Sequence, residues 1–158
     1  MSTILPSWPH FLFAVLEPIS LIAGWWAATF DTHAFITNQT LDAVLSPQST
    51  IPRSAQIIAY QLGNLYGLSL LVGIAVLYST SEPKVVRNYM IALAIADVTH
   101  VYTTYLGLGW DAWINVGHWN ALAWGNIGAT SFLFLNRVAY LLGVFGSARS
   151  QKDGKKVE

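Results

Sequence analysis

Four stretches of this chain stay mostly apolar for about 20 residues or more, the length a helix needs to cross a hydrocarbon layer. They run over residues 9–30, 55–79, 86–109 and 120–146. A helix pairs its backbone groups internally, as lipid demands. The fold expected is therefore all-α: one polytopic membrane domain of four transmembrane helices in a bundle. None of the stretches is a pure Leu/Ile/Val run. Each carries small or polar residues, so each is expected to pack on neighbours. Composition agrees, since 10% of residues are charged, against about 25% in soluble domains.

The connections are polar. Asp31 to Ser54 forms the longest loop, STSEPK (Ser79 to Lys84) a tight turn, and GLGWDAWINVGHW (Gly107 to Trp119) an interfacial segment. Residues 147–158 read as a disordered charged tail. Lys84 and Arg87 flank the short turn, and Arg149, Lys152, Lys155 and Lys156 follow the fourth helix. The positive-inside rule then places both termini in the cytosol. The first loop, with its Asn38-Gln39-Thr40 sequon, falls on the opposite side, which points to the endoplasmic reticulum. Met1 to His10 lacks the basic start of a cleavable signal.

Several function classes drop out. The net charge is zero, so no nucleic-acid partner is indicated. There is no cysteine, and no Walker, GxGxxG, HExxH or GxSxG motif. No cofactor and no metal site are expected. The partners are the bilayer and a lipophilic small molecule.

Glu17, Asp97, His100 and Arg137 fall inside the expected spans. Charged residues cost roughly 2.5–3.5 kcal/mol each at a helix centre on insertion scales, so they are candidates for function. Counted from the cytosolic ends, Glu17, Asp97 and Arg137 lie about 8, 10 and 9 residues in, or ~12–15 Å at 1.5 Å per residue. One arginine and two carboxylates at a common depth form a cluster. The bland reading is an ion pair of Arg137 with one acid, pinning the fourth helix. The sharper reading rests on the acid left over, which would keep its proton and serve as a general acid.

Asp97 and His100 are three apart and share a helical face. The aspartate can orient the imidazole, or the two can be a packed polar pair. Gln61, Asn64 and Tyr66 on the second helix and Asn126 and Asn136 on the fourth either line a cavity or bridge helices. Tyr102, Trp119, Asn120 and Trp124 are further candidates for a pocket wall, although interfacial anchoring suits tryptophan as well. Gly63 and Gly67, and Gly125 with Gly128, permit close helix approach. Pro18 is expected to free a carbonyl beside Glu17. His10, His33 and His118 read as interfacial residues.

LEPISLIAG (Leu16 to Gly24), QLGNLYGL (Gln61 to Leu68), IADVTHVYTTYLGLGWDAWINVGHWNALAWGNIG (Ile95 to Gly128) and NRVAYLLGVFG (Asn136 to Gly146) together resemble a family of small fungal four-helix integral membrane proteins. That family shows EP-S in helix one, Q-x-x-N-x-Y in helix two, I-A-D-x-x-H in helix three, and W-N-A-x-x-W-G-N before an arginine in helix four. Ala123 departs from it, where an acid is usual. A looser likeness, of chemistry rather than motif, is to emopamil-binding-protein-like isomerases and fungal membrane-bound terpene cyclases. The family resemblance implies the fold and a fungal origin. The excess of buried acids, with the likeness of chemistry, leads to the expectation of a membrane enzyme of secondary metabolism that cyclises or isomerises a terpenoid or meroterpenoid. Glu17, Asp97 and His100 would then be catalytic. Gln61, Asn64, Tyr66, Tyr102, Trp119, Asn120, Trp124, Asn126 and Arg137 would hold the substrate. A membrane scaffold or lipid-binding protein is the alternative.

Overall fold

The computed structural model describes residues 3–41 and 50–146. Every element among them is helical, and no strand occurs. In order they are α1 (Ser7–Phe30), α2 (Thr32–Thr37), α3 (Arg53–Ser79), α4 (Pro83–Leu108), α5 (Trp110–Ile114), a single 3-10 turn (Val116–His118) and α6 (121–141). Helices α1, α3 and α4 are long and apolar enough to cross a membrane. Helix α6 is more polar, with Asn126, Asn136 and Arg137 in its course. The tail 147–158, with four of the basic residues behind the expected orientation, lies outside the described residues.

Local chemistry sets the helix ends. Pro83 opens α4, where a missing N–H costs nothing. The Asn120 side chain accepts from the Ala123 N–H at 2.8 Å and caps α6. At the other end Gly143 adopts φ 80°, a conformation that favours glycine. Its N–H bonds to Tyr140 O, and Val144 N–H bonds to Ala139 O, the paired closure that ends many helices. So α6 stops at Leu141, short of the expected residue 146.

Two stretches depart from α-helical register, Leu12–Leu16 in α1 and Trp124–Ala129 in α6, each a π-helical segment. In the first, Glu17 N–H reaches back to Leu12 O. Pro18 follows and has no N–H to give Ala14 O. The Tyr78 hydroxyl, from α3, donates to that carbonyl at 3.0 Å instead. The carbonyl that Pro18 was expected to free is thus satisfied by a neighbouring helix.

Helix α1 packs chiefly on α3, and α4 chiefly on α6. The α1–α3 seam closes through small residues. The Tyr66 ring lies over Gly24, and Ala28 and Thr29 lie over Gly63. Gly125 faces open space, and the nearest neighbour of Gly128 is Trp124 of its own helix. No close helix approach is made at Gly125, contrary to expectation.

One apolar cluster, at the α3–α4 turn end, joins Leu12 and Phe13 of α1 to Leu77, Val86 and Met90. Ile4 and Leu5 complete it, so residues before Pro9 are part of the core. A second cluster at the opposite end holds Ala28, Phe35 and Ala59. The exterior is apolar: Ile58, Leu71, Ile95 and Leu135 are each more than 60% exposed. An apolar outside around a core that includes a buried arginine suits lipid rather than water.

Candidate functional site

Glu17 lies one turn beyond Phe13 on α1, and Asp97 two turns beyond Met90 on α4, so both point inward above the first apolar cluster. Between them comes Arg137 from α6, whose side chain is 1% exposed. One terminal nitrogen, Nη1, donates to Asp97 Oδ2, and the other, Nη2, donates to Glu17 Oε1. The two carboxylate side chains are 13% and 12% exposed. Arg137 Cζ also sits 5.1 Å from the centroid of the Phe13 ring, within cation–π range. Three helices thus meet at one guanidinium, as the common depth of the residues predicts.

No acid is left over in the sense expected, because Arg137 bonds to both. What is left over is one atom of Glu17 and one of Arg137: Glu17 Oε2 and Arg137 Nε are buried and have no hydrogen-bond partner among the described residues. Two carboxylates against one guanidinium carry a net charge of −1 when all are ionised. One added proton makes the cluster neutral, and Glu17 Oε2 is a buried oxygen that can take it.

His100 does not turn to Asp97. Its Nε2 lies 3.3 Å from Asn126 Oδ1. With its proton on Nε2, His100 can donate to that oxygen, which leaves Nδ1 as the basic nitrogen. Asp97 is drawn away from His100 because the guanidinium offers it a charge-assisted bond.

Other expected residues lie elsewhere. Gln61 and Asn64 sit on the exposed face of α3, and Tyr66 is spent on packing against Gly24. Asn120 uses its oxygen as the α6 cap and its nitrogen to donate to Asn38 O at 2.9 Å, tying the first loop down. Tyr102, Trp119 and Trp124 belong to an aromatic row. Tyr102 meets Tyr105, which meets Trp113; Trp119 then contacts both Trp113 and Trp124. Trp124 precedes Arg137 by 13 residues, about 20 Å along a helix at 1.5 Å per residue. These rings do not wall the charged cluster; Phe13 does.

Four participants escaped the sequence reading. Phe13 and Tyr78 are named above. Trp8 Nε1 donates to Asn136 Oδ1 at 2.9 Å, and Thr3 Oγ1 pairs with His10 Nδ1 at 2.8 Å. Only Phe13 carried a signal, its position four residues before Glu17 on the same face. Among the other histidines, His118 pairs with Asn115, and His33 lines a polar cavity of about 450 Å³ near the first loop. No group of three metal-ligating side chains occurs among the described residues.

A family model described as a domain of unknown function, DUF7704, matches residues 2–147. The chain belongs to this family. No curated protein and no solved structure matches it. The DUF7704 match takes in all six helices and every member of the charged cluster. Its far limit falls one residue beyond Gly146, just past the turn that closes α6.

Proposed function

We propose that this DUF7704 chain is a four-span membrane enzyme that cyclises or isomerises a lipophilic terpenoid or meroterpenoid by acid–base chemistry at the Glu17–Arg137–Asp97 cluster. The observation that carries the reading is the buried, unpartnered Oε2 of Glu17 on a guanidinium already shared with a second carboxylate. Protonated there, Glu17 transfers its proton to an alkene carbon or an epoxide oxygen, and a carbocation forms as the π bond or C–O bond gives up its electron pair. Arg137 stabilises the carboxylate so produced, and Asp97 keeps the guanidinium in place. The Phe13 face is available to the cation. Loss of a proton to Glu17 or to His100 Nδ1 then ends the reaction as a new alkene. The chemistry consumes no cofactor.

Helix α6 is the fourth span in this reading. The first loop is lumenal, and the setting is the endoplasmic reticulum of a fungus. Glycosidase-sensitive modification at Asn38 reports that orientation.

The test is metabolite profiling of a fungal host that expresses the chain and is supplied with farnesylated and epoxidised precursors. Glu17→Gln and Asp97→Asn run beside it. A cyclised or isomerised product is expected from the parent chain and is lost in Glu17→Gln made at normal levels. Unchanged turnover in both variants sinks the enzyme reading. The second reading, a scaffold held by an ion lock, is favoured by the bonding of both acids to Arg137. It predicts no product from any precursor, with stability alone responding to the variants.

A further inference from the structure

Helix α4 carries a second pattern, unrelated to the charged cluster. Along one face, at three- and four-residue spacing, stand Lys84, Arg87, Ile91, Ile95 and Val98, all exposed. Two cations are thus followed by an apolar stripe. The stripe is one wall of a groove of about 300 Å³, closed on the other side by Phe134 and Leu141 of α6.

The two halves of the pattern meet physically. Arg87 Nη1 donates to Leu141 O at 3.0 Å, and Leu141 is itself a wall of the groove. That bond neutralises the carbonyl end of α6, which would otherwise repel an anion. It uses one of five N–H donors and leaves the remaining ones for a ligand. Lys84 is one turn further out on the same face. Glu82 precedes it by two residues, a spacing that turns side chains apart.

We propose that this groove is a binding site for an anionic glycerophospholipid, with an acyl chain between α4 and α6 and the phosphate on Arg87 and Lys84. Charge complementarity selects the occupant. A zwitterionic lipid or a second copy of the chain would fill the groove equally well, yet neither brings a net negative group to the two cations. The site stands independently of the acid–base reading.

Native mass spectrometry of the full chain in detergent tests it, with equal amounts of phosphatidylglycerol and phosphatidylcholine bearing the same acyl chains. The parent is expected to retain phosphatidylglycerol about thirty-fold better, as two near-surface cations imply. The double variant Lys84→Gln/Arg87→Gln is expected to hold the two lipids equally. Lys84→Gln alone leaves the Arg87–Leu141 bond in place and should cut the preference about five-fold. Thr99→Trp, placed in the groove wall on an exposed position, is expected to reduce retention of both lipids. Equal retention by the parent, or a preference that survives the double variant, overturns the proposal.

Discussion

Helix α1 makes two seams, and they are closed in opposite ways. Towards α3 it offers Gly24, Ala28 and Thr29, which meet Tyr66 and Gly63. Towards α4 and α6 it offers Glu17, which meets Arg137. The first seam is held by shape: removing bulk lets backbones approach, and dispersion does the rest. The second is held by charge, and its energy depends on which groups are ionised. A seam of the first kind has one state. The second has at least two, because the Glu17–Arg137–Asp97 cluster differs by a unit of charge with and without a proton. The proposed proton chemistry draws on the second seam, and rigidity on the first.

The sharpest way to break the contrast is Arg137→Met. Two carboxylates then face each other unpaired, and a loss of about 3–5 kcal/mol is expected in unfolding from detergent. Adding Glu17→Gln and Asp97→Asn to that variant should recover most of the loss, while any product of the proposed activity stays absent. If the triple variant remains as unstable as the single one, the seam is not electrostatic. Next comes Gly63→Leu. A Cβ there already falls 2.8 Å from Thr29 Oγ1 and 3.3 Å from Ala28 Cβ, so overpacking should cost about 1–3 kcal/mol by the same measurement. That loss should appear without any change in charge-dependent behaviour. Tyr78→Phe strips Ala14 O of its partner and should cost about 1–2 kcal/mol. The smallest effect is expected for Asn126→Ala, about 0.5–1 kcal/mol. Its sharper readout is the NMR signals of the His100 ring, which should move when the Asn126 contact is lost.

Long-range reading worked where a physical quantity adds up along the chain. Hydropathy accumulates over twenty residues, and it located α1, α3 and α4 to within three residues at either end. Rise per residue also accumulates, so Glu17, Asp97 and Arg137 could be matched by depth before any contact was known. Contacts that depend on side-chain direction were not legible. His100 stands three residues from Asp97, but pairs with Asn126 across the bundle because Arg137 claims the carboxylate. Asn120 looked like a ligand and is a helix cap. Gln61 and Asn64 looked inward from their spacing and face outward, since Gly63 between them takes the seam. The burial of Ile4 and Leu5 left no periodic trace, being too short to show a period.

The two π-helical segments have a genetic consequence. Each residue turns a helix by about 100°, so a π-helical bulge amounts to one residue inserted into an otherwise regular helix. Leu12–Leu16 lies just ahead of Glu17, and Trp124–Ala129 lies ahead of Arg137. Excising one residue from either segment would restore ordinary helix. It would also swing everything upstream by about 100° relative to the charged residue that follows. In α1 that would carry the Ile4–Leu5 plug to the wrong side, and in α6 it would carry the Asn120 cap and its tie to Asn38 away from the loop. For this chain a one-codon deletion at these two places should be a harsher lesion than most substitutions, although the composition of the protein would scarcely change.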